Sequence, residues 1–301
     1  MGARWLRGAA WTRRAPGLGI LTWQALTASV VLSVVLAGIA LAMPKLPGSS
    51  SLAVLMRACV DGLRAQYGTP AGAALSIAGG LLAAVIFIRV TCCVLASLVT
   101  MRRDRQAQRQ HLMMASRLHP LLGVQVVDHG KPAVYCVPGK DGTVVFTSAA
   151  LLALDDNQIR MVIAHERAHL SGRHDLVLAL AGALRRALPF VGSMKVARDE
   201  MGQLVEMRAD DVAMRLGDRI SIAKALVHLA EGPIPSGALG AGGAALARLT
   251  RIAEPPRPIG AAERLLGVGA ALLMLIGPFA IAVEPAFAAA AMHYCPLLPA
   301  S

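Results

Sequence analysis

His165 and His169 stand four residues apart in the run His165-Glu166-Arg167-Ala168-His169. In a helix this spacing puts two imidazoles on one face with a carboxylate beside them. That combination suits hydrolysis on a metal: the imidazoles hold a divalent ion, and Glu166 takes a proton from the water the ion polarises. The competing reading, a solvated polar helix, conflicts with the neighbours. Ile159, Val162 and Ile163 run an apolar stripe through the motif, and burying His, Glu and Arg there without a ligand is unfavourable.

A catalytic zinc takes three protein ligands and keeps one position for water, so a third ligand must come from elsewhere. The motif continues as far as Gly172, which suits a helix break, and Asp175 then stands where a third histidine ligand would be. His174 lies half a turn round an unbroken helix from His165 and cannot join them without that break. The stronger candidate is Glu206, in Glu206-Met207-Arg208-Ala209-Asp210, which sets two carboxylates on one helix face. Here Glu206 reads as the ligand, and Asp210 as the acceptor of a ligand histidine's free ring N–H, fixing its tautomer. Two imidazoles and one carboxylate suit Zn2+, one ion per chain. His228 and Arg208 are the candidates for an oxyanion donor, with a plain core histidine the simpler reading of His228.

Several elements have to position these groups. Asp155 or Asp156 caps a helix predicted to run through the motif to about His174, and a second helix over residues 195–216 carries Glu206. Runs at 122–127, 133–137 and 143–147, with a turn at Gly139-Lys140-Asp141-Gly142, predict a small antiparallel sheet ahead of the motif. Its hairpin offers an edge to which an extended substrate can add. A helix is expected over 221–231, a loop over 233–243, and a stiff linker at Pro255-Pro256-Arg257-Pro258. Residues 176–184 are apolar but too few to span a bilayer, which predicts a core helix or one lying at the membrane surface.

With 301 residues, 55% hydrophobic and only 16% charged, the chain is too apolar for an ordinary soluble globule. Residues 18–43 and 265–283 carry no charge and 71–100 carry only Arg89, so each is read as a membrane-spanning helix. Arg4, Arg7, Arg13 and Arg14 precede the first span, and Arg102, Arg103, Arg105 and Arg109 follow the second. This bias places residues 101–264 in the cytoplasm. The expected organisation is a membrane region over 1–100, a cytoplasmic domain over 101–264, and a last span with an external tail over 265–301. The fold class is therefore α-rich membrane protein (α+β), in the cell membrane, with the lipid bilayer as a partner. The 30 basic residues against 18 acidic ones cluster beside the spans and accompany no reader motif, so nucleic-acid binding is not expected. Arg89 is expected to snorkel towards the cytoplasmic end. Cys136 reads as a free thiol, and Cys59 and Cys295 fall on the same external side.

His165 through Leu170, Gly172-Arg173-His174-Asp175 and Glu206 through Asp210 resemble the integral-membrane gluzincin peptidases of the BlaR/MecR signal-transducer type, with the HtpX-like proteases as relatives. Val137-Pro138-Gly139 and Thr147-Ser148 also resemble that pattern. The resemblance covers about residues 100–230 and implies His165, His169 and Glu206 as zinc ligands with Glu166 as general base. It further implies a membrane-bound zinc endopeptidase cleaving, at the cytoplasmic face, a BlaI/MecI-like repressor or membrane proteins. The alternative is a non-catalytic zinc-binding membrane transducer; the presence of Glu166 argues against it, since a structural site needs ligands but no base.

Overall fold

In the computed structural model, residues 2–42, 69–139, 142–230, 241–254 and 258–292 are described. Cys59, Cys295, Lys140, Asp141, most of the 233–243 loop and Pro255-Pro256-Arg257 lie outside them. Two short helices, α1 (Gly2–Gly8) and α2 (Ala10–Arg14), lead into α3 (Pro16–Ala42). The next helix, α4 (Pro70–Ala115), has 46 residues. Thr69 caps it by accepting from Gly72 N, and Pro70 fills the first turn, where its missing N–H costs nothing. At 1.5 Å per residue α4 is about 69 Å long, roughly twice the hydrocarbon thickness of a bilayer. The span expected over 71–100 is thus only part of one helix, which carries its basic residues on to Ala115.

Strands β1 (Ser116–His119), β2 (Val124–Val127), β3 (Val134–Val137) and β4 (Thr143–Thr147) form a sheet in the order β1-β2-β4-β3. The expectation of an antiparallel sheet is corrected here. β1 with β2 and β3 with β4 are antiparallel, but β2 and β4 run parallel, with Gln125 opposite Val145 and Val127 opposite Thr147. The reason is burial: Val144, Val145 and Phe146 are all buried, so β4 takes the interior position and displaces β3 to the edge. β1 was not foreseen because Ser-Arg-Leu-His has no β-branched residue. It forms by pairing with β2 across a turn in which Gly123 holds φ at 62°.

After the short α5 (Ser148–Ala153) comes α6 (Asp156–Ser171), opened by a capping box between Asp155 and Gln158. One face of α6, with Ile159, Val162 and Ile163, packs on Val124, Val126, Val144 and Phe146 of the sheet. α6 stops at Ser171, short of the expected end near His174, because Arg173 turns into the left-handed region with φ at 47°. There follow α7 (His174–Ala187), α8 (Gly192–Ala213), α9 (Arg219–Ala230), α10 (Ala241–Ala253) and α11 (Ala261–Met292). α8 is the hub. Its Ala197, Met201, Leu204 and Val205 pack on Leu6 of α1, Ile20 and Trp23 of α3 and Ala181 of α7.

α3, α4 and α11 are long and apolar enough to cross a membrane, over Pro16–Ile39, Pro70–Ala115 and Ala261–Ala282. α3 packs against both of the others. Arg89 does not simply snorkel: its Nε donates to Ala187 O at 2.6 Å and its Nη2 to Arg186 O at 3.2 Å. A cation at the end of α7 answers the unpaired carbonyls and the negative pole of that helix.

Candidate metal centre

α6 turns His165 and His169 towards α8, with Glu166 beside them one turn on from Val162 and facing β3, and α8 crosses so that Glu206 and Asp210, one turn apart, look back at the two imidazoles. The two His Nε2 atoms lie 3.1 Å apart. Glu206 Oε2 is 3.6 Å from His165 Nε2, and Oε1 is 3.6 Å from His169 Nε2. A tetrahedral zinc with bonds of about 2.0–2.1 Å needs donors about 3.3 Å apart. These three donors match that spacing, and among the described residues they form the group of His, Cys, Asp or Glu able to share one ion.

Each histidine is braced from behind. His165 Nδ1 sits 3.1 Å from Asp210 Oδ1, and Asp210 is almost wholly buried, its side chain 1% exposed. His169 Nδ1 lies 2.9 Å from Nδ1 of His174, whose ring meets it edge to face. The break after α6 makes this second contact. A Cβ on Gly172 would come within 2.4 Å of His174 Nε2, so glycine is what lets the ring fold back over the end of α6. Asp175, the other candidate ligand, is not brought to the cluster; it pairs with Arg105 of α4.

Arg248 of α10 is the residue the sequence did not announce. Its Nε donates to Asp210 Oδ2 at 2.9 Å and its Nη2 to Oδ1 at 2.6 Å, while Nη1 lies 3.0 Å from Glu206 Oε2. Such a two-pronged guanidinium–carboxylate pair is strong and directional. Arg248 holds Glu206 by Oε2 and leaves Oε1 facing His169. The available signal was an arginine among Ala and Leu on the helix that also bears Arg251; with its side chain only 15% exposed, Arg248 needs an acidic partner. Nothing in the sequence specified which acid.

The charges follow from these contacts. Burial opposes ionisation of Glu206, but the bond to His165 and the charge of Arg248 outweigh it and hold the carboxyl at about 2. Asp210 is likewise held well below the usual carboxylate range by Arg248 and His165 against its burial. Burial lowers His165, yet Asp210 and Glu206 more than compensate and raise it to about 9, whereas burial pushes His169 down to about 4. Glu166 sits beside Cys136 of β3, whose thiol bonds to its carboxylate, and burial pushes both pKa values up. Of the suggested oxyanion donors, His228 is exposed in a cleft of about 540 Å³ between α9 and α10. Arg208 is exposed as well and lies against Gly17.

The model of peptidase family M48 matches residues 99–256, more than half of the chain. The matched stretch includes α6, α8 and α10 and hence every residue of the cluster. No curated protein and no solved structure matches the chain.

Proposed function

The chain belongs to peptidase family M48, and from that premise we propose that it is a membrane-bound zinc endopeptidase of the gluzincin type. In this reading His165, His169 and Glu206 hold the ion, Glu166 is the general base, and Asp210 fixes the tautomer of His165. The observation that carries the reading is the convergence of three donors at 3.1–3.6 Å next to the half-buried carboxylate of Glu166. A zinc ion bound there polarises a water and the scissile carbonyl.

The chain's own residues supply the rest. Glu166, kept from easy ionisation by burial, takes the proton of the attacking water and returns it to the leaving amine, which a carboxyl of raised pKa does well near neutrality. Asp210 and His174 restrain the two imidazoles so that both Nε2 atoms face the same point. β3, the outer strand beside α6, is the place for an extended substrate to add by main-chain hydrogen bonds. Substrates N-methylated on alternate amides around the cleaved bond will then show raised KM; unchanged KM would remove β3 from the account.

The three long apolar helices support a multi-pass membrane protein, and the arginine bias supports a domain over residues 101–264 in the cytoplasm. The substrates are then proteins presented at the cytoplasmic face of the cell membrane. The decisive comparison is zinc-loaded wild type against Glu166→Gln in lipid vesicles. Activity is expected to fall by about 10²–10⁴-fold with zinc content unchanged. Equal zinc and no cleavage by either protein would favour the non-catalytic transducer.

A further inference from the structure

α7 does not lie flat beneath the membrane; it climbs alongside α4. At its foot Asp175 pairs with Arg105. Further up, the Arg186 side chain donates to Ser97 Oγ. At its top, the Ala187 and Arg186 carbonyls accept from Arg89. Arg105 and Arg89 are separated by about 24 Å of helix axis at 1.5 Å per residue. Arg105 belongs to the basic cluster that follows the apolar stretch of α4, whereas Arg89 lies within that stretch. α7 therefore rises from the basic cluster to the level of the apolar part of α4.

The turn that follows is clasped between two of the long helices. Leu184, Ala187, Leu188 and Met194 pack on Val30, Val31 and Val34 of α3 and on Ile86 and Val90 of α4. These partners belong to the spans themselves. The composition agrees with that depth. Between Asp175 and Arg185 the helix has no polar side chain on any face, which suits lipid or a closed core and not water. At the tip Phe190 is 76% exposed. Arg186 has its backbone level with Arg89 but sends its guanidinium back down α4 to Ser97, as snorkelling requires, while Arg185 and Lys195 are the exposed cations that flank the tip. Arg89 meets the carbonyls at the end of α7, groups that water cannot satisfy at that depth.

We propose that α7 and the first turn of α8 form a re-entrant hairpin whose tip, residues 188–191, is inserted in the bilayer with Phe190 against phospholipid acyl chains. The inference rests on the membrane reading above and adds a consequence to it. The hairpin starts at His174, in contact with His169, so the metal centre is fastened at the base of a membrane-inserted element.

The test is photocrosslinking of the full chain in phosphatidylethanolamine–phosphatidylglycerol vesicles, with a benzophenone amino acid replacing Phe190, Leu273 or Leu121 in turn. Leu273 is 72% exposed on α11 and Leu121 is 91% exposed in the turn between β1 and β2. The hairpin predicts a mass shift of one phospholipid at positions 190 and 273 and none at 121. Lipid adducts at 273 with none at 190 would overturn the hairpin and leave the membrane protein standing. If neither 273 nor 190 captures lipid, the membrane reading fails and takes the hairpin with it.

Discussion

The helix pair α6–α8 buries polar residues, whereas the helices α4 and α11 expose apolar ones. Between α6 and α8 the interior holds His165, Asp210 and, at the end of α6, His174. Along α4 and α11 it is Leu81, Leu82, Phe87, Ile88, Leu265 and Leu273 that face outwards, each more than half exposed. Both patterns are costly in water, one because it strands polar groups and the other because it exposes oil. In the proposed reading each is resolved by a different partner, the polar interior by an ion and the apolar exterior by lipid. Polar groups buried in a converging set thus point to a ligand, and apolar groups exposed in a continuous band point to a non-aqueous solvent.

The sharpest way to break that contrast is to remove a donor. His169→Ala leaves two of the three ligand atoms, and zinc retained after dialysis is expected to fall to background together with peptidase activity. Metal analysis and a cleavage assay on the same sample check this. Zinc retained at one per chain would mean that the buried polar set serves the fold alone.

Next in size is the pair behind the donors. Asp210→Ala leaves Arg248 without its main partner in a site it cannot leave easily, and breaking a buried pair from one side costs about 3–5 kcal/mol. A lower Tm of the zinc-free protein in micelles is the readout. Replacing both residues, as Asp210→Ala with Arg248→Met, is expected to restore part of the loss, because the guanidinium is no longer stranded and Glu206, which also loses Arg248, keeps the histidines beside it. A double variant as unstable as the single one would locate the cost in packing.

The same contrast explains what was legible in the sequence. The i, i+4 spacing fixed His165 and His169 on one face, and the pair Glu206 and Asp210 obeyed the same rule on another helix, so the cluster was readable before any fold was known. The three apolar stretches were readable from length alone. Arg248 was not, because its partners are set by how α10 returns across α8, which no local period encodes. The parallel pairing of β2 with β4 was hidden for the same reason: the hairpin between β3 and β4 is local, but the choice of the strand on its far side depends on which residues are most deeply buried. Arg89 was recognised as unusual, yet its acceptors belong to a helix nearly a hundred positions away.

A smaller test concerns the solvent on the apolar side. Leu82, 53% exposed on α4, and Leu121, 91% exposed in the sheet turn, look alike by exposure but face lipid and water respectively in the proposed topology. Leu82→Lys is expected to cost about 2.5–3.5 kcal/mol of insertion free energy, read as a reduced membrane-integrated fraction. Leu121→Lys is expected to stay within about 0.5 kcal/mol of wild type. Equal, small effects at both positions would remove lipid from the explanation of α4.

The smallest effect separates two helix starts. Asp155 satisfies the N–H of Gln158 at 2.8 Å, and Gln158 Oε1 accepts the N–H of Asp155 at 3.2 Å. Gln158 is buried at 4% exposure, so water is poorly placed to replace these bonds. Asp155→Ala is expected to cost about 1 kcal/mol and, because α6 carries both histidines, to loosen zinc as well as lower Tm. Thr69 caps α4 with a longer bond, 3.3 Å to Gly72 N, in a setting open to solvent. There water substitutes for the lost hydroxyl, and most of the long helix is held by its apolar surroundings, so Thr69→Ala should cost about 0.5 kcal/mol, the low end for a lost cap, and leave zinc affinity unchanged. The contrast predicts that order. If Thr69→Ala proved the more damaging change, the start of α4 would be part of a packed, functional surface, and its stability could no longer be assigned to the solvent around it.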